Sequence, residues 1–189
     1  MDKTTKVPSF PPLNAIDWWN RYLERKGADY VKKDEIESVL YFSLMWNAFE
    51  HTFGGTPVNP KTIDHKFKEH AVMNSLTGED FQPFLLYFQD RYVGSEEADN
   101  RFAALKLKDQ SPDRNRNIPG KPVKSEVLDV LHSREKDNEK IILALLYIVW
   151  RIRNNLFHAN KTPIRLEKEA PLLNVANTLL AIFMDAMRR

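Results

Sequence analysis

Residues 139–161 read EKIILALLYIVWRIRNNLFHANK, and the fold turns on how this stretch is read. Its first half is apolar on every side, which on a helix means the buried centre of a bundle. Its second half carries Arg151, Arg153, Asn154, Asn155 and His158 within two turns. A core helix has no use for these groups. The stretch therefore predicts a central helix that emerges from the core at a polar site.

Working outward, Pro163 follows closely and predicts a helix break near 159–162. The closing helix is predicted over 166–187, with Leu172, Leu173, Val175, Ala176, Leu179, Leu180, Phe183 and Met184 inward. Upstream, residues 106–124 hold six Lys/Arg against two Asp, with three prolines and a glycine. That composition predicts a basic, irregular connection, followed by a short helix over 123–132. Further back, helices are predicted over 95–107 with Ser95 as cap, and over 77–92 with Thr77 and Asp80 at its start. A short helix opening at Pro60 would carry Ile63, Phe67 and Val72.

A second helix apolar nearly all round is predicted over 36–53, begun by Asp34 with Glu37 in a capping box and ended by Gly54 and Gly55. Ser43, Asn47 and Glu50 interrupt it at spacings of four and three, so they stack on one face. Such a stripe either satisfies neighbouring backbone or lines a cleft. Ile16, Trp18, Trp19, Tyr22 and Leu23 predict a further helix over about 14–26, closed by Gly27. Residues 1–13, with three prolines, read as an irregular arm. No repeat and no strand pattern appears. The expected fold is all-α: a single helical domain over 14–189, with the two apolar helices fully buried at its centre.

The chain has 189 residues, of which 42% are hydrophobic and 29% charged, as in a soluble globular domain. The absence of cysteine excludes disulfides, cysteine nucleophiles and thiolate metal sites, and suits a cytoplasmic setting. The N-terminus lacks the apolar core of a signal peptide. The longest apolar run, 141–150, is about half of a bilayer span, so no membrane partner is expected. A net charge of +2 does not mark a nucleic-acid binder, and any basic surface must be local. No P-loop, dinucleotide fingerprint, zincin or nucleophile-elbow motif occurs. His51, His65, His70 and His132 are too scattered to argue a metal site. Neither metal nor cofactor is expected.

The remaining constellation, Arg153-Asn154-Asn155-Leu156-Phe157-His158, resembles the motif of the HEPN domains: an arginine, four to six residues, then a histidine, usually with a polar residue after the arginine. Asn154 fills that polar position. The longer string from Trp150 to Lys161 is similar to the R-N-N-L-F-H-G-x-K form of many bacterial members, with Ala159 in place of the glycine. The resemblance covers about 36–184, including the early helix with L-M-W-N-A-F-E. It implies a HEPN-type bundle and metal-independent RNA cleavage by attack of the 2′-hydroxyl on its own phosphodiester. It further implies a homodimer with two motifs facing across a two-fold axis, in a toxin or antiviral effector with a separate antitoxin or sensor. Members modified on a tyrosine two residues after the histidine have no counterpart here, where Asn160 stands.

The chemistry also stands on the residue types. Histidine moves protons near neutral pH, an arginine fork stabilises the charge of a phosphorane, and asparagine orients either. The catalytic candidates are thus Arg153, Asn154 and His158, with Asn47, Glu50, Arg151 and Lys161 in support. Five residues on an ideal helix subtend about 140°, so Arg153 and His158 share a face only if the helix ends or distorts between them. Arg151, Asn154, Asn155 and His158 do share one, which keeps Arg151 open as the motif arginine. The plainer reading of Arg153 and His158 is cations complementing a helix C-terminus, and that of 106–124 is a solvated linker rather than an RNA contact. The alternative function is an inactive helical module that dimerises or binds a protein or nucleic acid.

Overall fold

A computed structural model describes residues 17, 20, 21, 24, 32–69, 76–110, 120–157 and 166–187. Within them lie seven helices: α1 Lys33–His51, α2 Pro60–Glu69, α3 Gly78–Tyr92, α4 Glu96–Leu105, α5 Val123–Leu131, α6 Asn138–Phe157 and α7 Leu166–Met187. No strand occurs among the described residues, and one isolated bridge joins Gln110 to Lys121. The expected all-α fold is therefore observed. The predicted arm over 1–13, Gly27, Val72, His70 and the break at 159–162 lie outside the described residues. Of the predicted 14–26 helix, Asp17, Asn20, Arg21 and Glu24 are described, and they are helical.

Local chemistry sets the helix starts. Ser95 Oγ accepts from Ala98 N at 3.1 Å to cap α4. Asp80 Oδ2 accepts from Thr77 N at 2.7 Å to open α3. Asn59 Oδ1 accepts from the amides of Lys61 and Thr62 ahead of α2, and Asp137 Oδ1 from that of Glu139 ahead of α6. The start of α1 differs from the expected one. It begins at Lys33, and Glu35 rather than Glu37 accepts from the Lys32 amide, at 2.8 Å. Glu35 occupies the third helical position, from which a carboxylate can reach back. Glu37 instead pairs with Lys33 one turn earlier, at 3.5 Å.

α6 is the centre of the bundle. Every residue over 141–149 is buried, and α2, α3, α4, α5 and α7 all pack on it. An all-round apolar sequence is stable here because it meets a neighbour in every direction. α7 is long and apolar enough, by length and composition, to cross a membrane. In the bundle its Leu172, Leu173, Ala176, Leu180 and Phe183 are core residues.

α1 is not a second buried centre. It lies chiefly along α7 and buries Phe42, Trp46 and Phe49, with Phe49 edge-on to Phe183 at 5.7 Å. Leu40, Tyr41 and Leu44 on its other side are 56%, 58% and 65% exposed. Composition alone does not separate a helix packed on all sides from one whose second apolar face has no neighbour among the described residues. The polar stripe also divides. Ser43 Oγ donates to Val39 O within the helix, at 2.7 Å. Asn47 is exposed. Only Glu50 reaches another element.

The base of the basic connection is closed. Gln110 and Lys121 exchange two backbone hydrogen bonds, at 2.8 and 2.9 Å. Lys121 Nζ sits 3.4 Å from Asp64 and 3.5 Å from Glu126, and 5.3 Å from the centre of the Tyr147 ring. Burial, joined by the nearby Asp64 and Glu126 carboxylates, pushes the Tyr147 hydroxyl well above the usual phenol range. A connection that composition reads as a free linker is thus pinned at its base to α2, α5 and α6.

Candidate site at the end of the central helix

The last turns of α6 carry the predicted residues, and the helix runs without a break to Phe157. Arg151 and Arg153 consequently point to different neighbours, because two residues on a helix turn about 200°.

Arg151 and Asn155, four apart, face the end of α4. Arg151 Nε donates to the carbonyl of Leu105. Asn155 Nδ2 donates to Ala104 O at 3.0 Å and approaches Leu105 O at 3.4 Å. The last carbonyls of a helix have no partner inside it, and these two side chains supply one. Partial burial lowers the Arg151 pKa from its free value, and the guanidinium remains a cation at any ordinary pH. Arg151→Ala removes a charged hydrogen bond, of the kind worth about 1.5–3 kcal/mol. The lower end is expected, since Asn155 remains within reach of the same carbonyl. Thermal unfolding of Arg151→Ala against wild type measures it.

Arg153 faces α1. Its Nη2 lies 3.4 Å from Glu50 Oε1, its Nη1 lies 3.3 Å from Asn154 Oδ1, and its Cζ lies 5.7 Å from the centre of the Trp46 ring. Trp46 and Glu50 are one turn apart on α1, so one face of that helix offers the guanidinium an aromatic plate and a carboxylate. The Arg153 and Glu50 side chains are 25% and 37% exposed. At that exposure the pair contributes little stability, and its consequence is orientation. The fork is held, one quarter exposed, between α1 and the last turns of α6.

The structure therefore brings Glu50, Arg153 and Asn154 together. It parts Asn154 from Arg151, with which the helical face count had grouped it, because the Asn154 amide turns to its sequence neighbour. Asn47, the other supporting candidate on α1, makes no hydrogen bond to Arg153 and is exposed on the side of Leu44. His158 and Lys161 lie outside the described residues. Trp46 is a core residue, at 2% exposure, and it is also the plate behind Arg153. The i, i+4 relation between Trp46 and Glu50 was the available signal. Among the described residues no group of three or more His, Asp or Glu side chains is placed to hold a metal ion. The chain matches no family model, no curated protein and no solved structure.

Proposed function

We propose that the chain is a metal-independent endoribonuclease of HEPN type, a toxin or antiviral effector. The observation that carries this reading is the Arg153–Glu50 contact, which joins the motif helix to α1 and presents an oriented guanidinium at the surface. Arg153 binds the non-bridging oxygens of the scissile phosphate and stabilises the charge gathered in the phosphorane. Asn154 fixes the fork. His158 takes or gives the proton as the 2′-oxygen attacks phosphorus and the 5′-oxygen leaves. The products are a 2′,3′-cyclic phosphate and a 5′-hydroxyl. Arg151, engaged with the end of α4, serves the fold.

One histidine cannot be base and acid in the same step, which is why a second copy enters this reading. Leu40, Tyr41 and Leu44 are the surface for it: three large apolar side chains exposed on one helix, the kind of patch that marks an interaction site. Leu44→Arg is expected to convert a dimer to a monomer in sedimentation, with a melting temperature close to that of wild type diluted to a monomer. A wild type that stays monomeric at high concentration removes the dimer from the reading.

The same exposed face favours the second reading, an inactive helical module that docks a partner. One experiment separates them. Wild type and His158→Ala are incubated with total RNA in EDTA, and the product ends are analysed. Cleavage by wild type alone, with cyclic phosphate ends, is the expected result. No cleavage by a folded dimeric wild type selects the interaction module. Equal cleavage by both removes His158 from the chemistry.

A further inference from the structure

The stretch that leaves α4 is held against the motif end of α6 and displays two cations. Arg151 and Asn155 grip the carbonyls of Ala104 and Leu105. Leu105 and Leu107 are buried at 5% and 6% exposure, while Lys106 and Lys108 between and beyond them are exposed. Lys106 sits in the left-handed region at φ 54. That is the position after a helix where glycine is the usual residue, so a lysine is kept there against backbone preference. Strain held in this way points toward function. Neither Lys106 nor Lys108 makes an ion pair among the described residues. The neighbouring acid turns elsewhere: Asp109 Oδ1 accepts from the Lys124 amide at 2.8 Å and from that of Ser125 at 3.3 Å. Lys121 is neutralised by Asp64 and Glu126. The result is two exposed cations, without an ion pair among the described residues, on a pinned stretch at the side of α6 that Arg151 faces, away from Arg153.

We propose that Lys106 and Lys108 form a phosphate-binding rail for single-stranded RNA at the motif end of α6, on the side away from Arg153. The choice of RNA rests on the nuclease reading above. The rail contacts backbone and not bases, so it binds without sequence preference, and it sets where along a strand the scissile phosphate lies.

The test is binding of a 2′-O-methyl RNA oligonucleotide, which lacks the attacking hydroxyl, measured by fluorescence anisotropy across a salt series. The proteins are wild type, Lys106→Gly, Lys108→Ala, the double variant, and Lys136→Ala as a charge control at the other end of α6. Glycine at 106 keeps the left-handed turn, so a lost fold does not confuse the result. Each phosphate contact on a single strand contributes about 0.7 to the slope of log K against log salt. The double variant is expected to lose about 1.4 of that slope, equally for two unrelated sequences, and Lys136→Ala none. With a cleavable RNA the double variant raises KM and keeps kcat. An unchanged slope, or a wild type that does not bind, overturns the rail. Cleavage with an unchanged slope overturns the rail alone. Lysine-dependent binding without cleavage by wild type keeps the rail and overturns the nuclease.

Discussion

His158→Ala is expected to slow RNA cleavage by about 10²–10⁴-fold, the usual contribution of general acid–base catalysis. Arg153→Ala belongs in the same series. It removes the fork, and it also leaves the Glu50 carboxylate without its Arg153 partner. Arg153→Lys keeps the charge without the planar, two-pronged geometry, so it should recover only part of the loss. Arg151→Ala provides the contrast. Its side chain holds the end of α4, so it should melt lower and cleave at nearly the wild-type rate. The measurement is initial cleavage rate under substrate saturation beside a melting curve for each variant. A reversed pattern, with Arg151→Ala inactive and Arg153→Ala active, would make Arg151 the motif arginine.

The largest effect on stability is expected at α6. Leu145 is fully buried in a helix packed by five others. Leu145→Ala should cost about 2–5 kcal/mol, through lost transfer energy and the cavity left behind. For a chain of this size each kcal/mol lowers Tm by roughly 2–4 °C. In dilute, monomeric protein Leu44→Ala is the same chemical change at a side chain 65% exposed and should lie within about 0.5 kcal/mol of wild type, whereas it should cost more at concentrations where the proposed dimer forms. Urea or thermal unfolding of the two variants measures burial directly. Equal effects would mean that Leu44 is covered in solution, as a tight dimer through α1 would require, and dilution would then separate the two cases.

The sequence was most legible where one local rule decides. Ser95, Thr77 and Pro60 mark helix starts because such a signal needs only neighbours in the chain. The apolar run over 141–149 declares itself the centre, since no surface tolerates it. α1 shows where the reading stops. Its apolar residues encircle the helix, and composition cannot reveal that Phe42, Trp46 and Phe49 meet α7 while Leu40, Tyr41 and Leu44 meet nothing described. The polar stripe over Ser43, Asn47 and Glu50 had the same ambiguity. Three residues on one face took three environments, because each depends on what lies opposite at its own level. In the site, Glu50 was legible as a candidate by its place on α1. The Arg151 contact with Leu105 was not, because it joins residues 46 apart in sequence. For the basic connection, composition reports proline and charge but not the Gln110–Lys121 bridge that closes its base.

The placement of α1 beside α7 has a consequence for the site. α1 carries both Trp46 and Glu50, and its Phe49 lies edge-on to Phe183 of α7. The Arg153 fork on α6 is therefore aimed by groups whose own position is set by a third helix. Its orientation depends on the α1–α7 seam as much as on the helix that bears it.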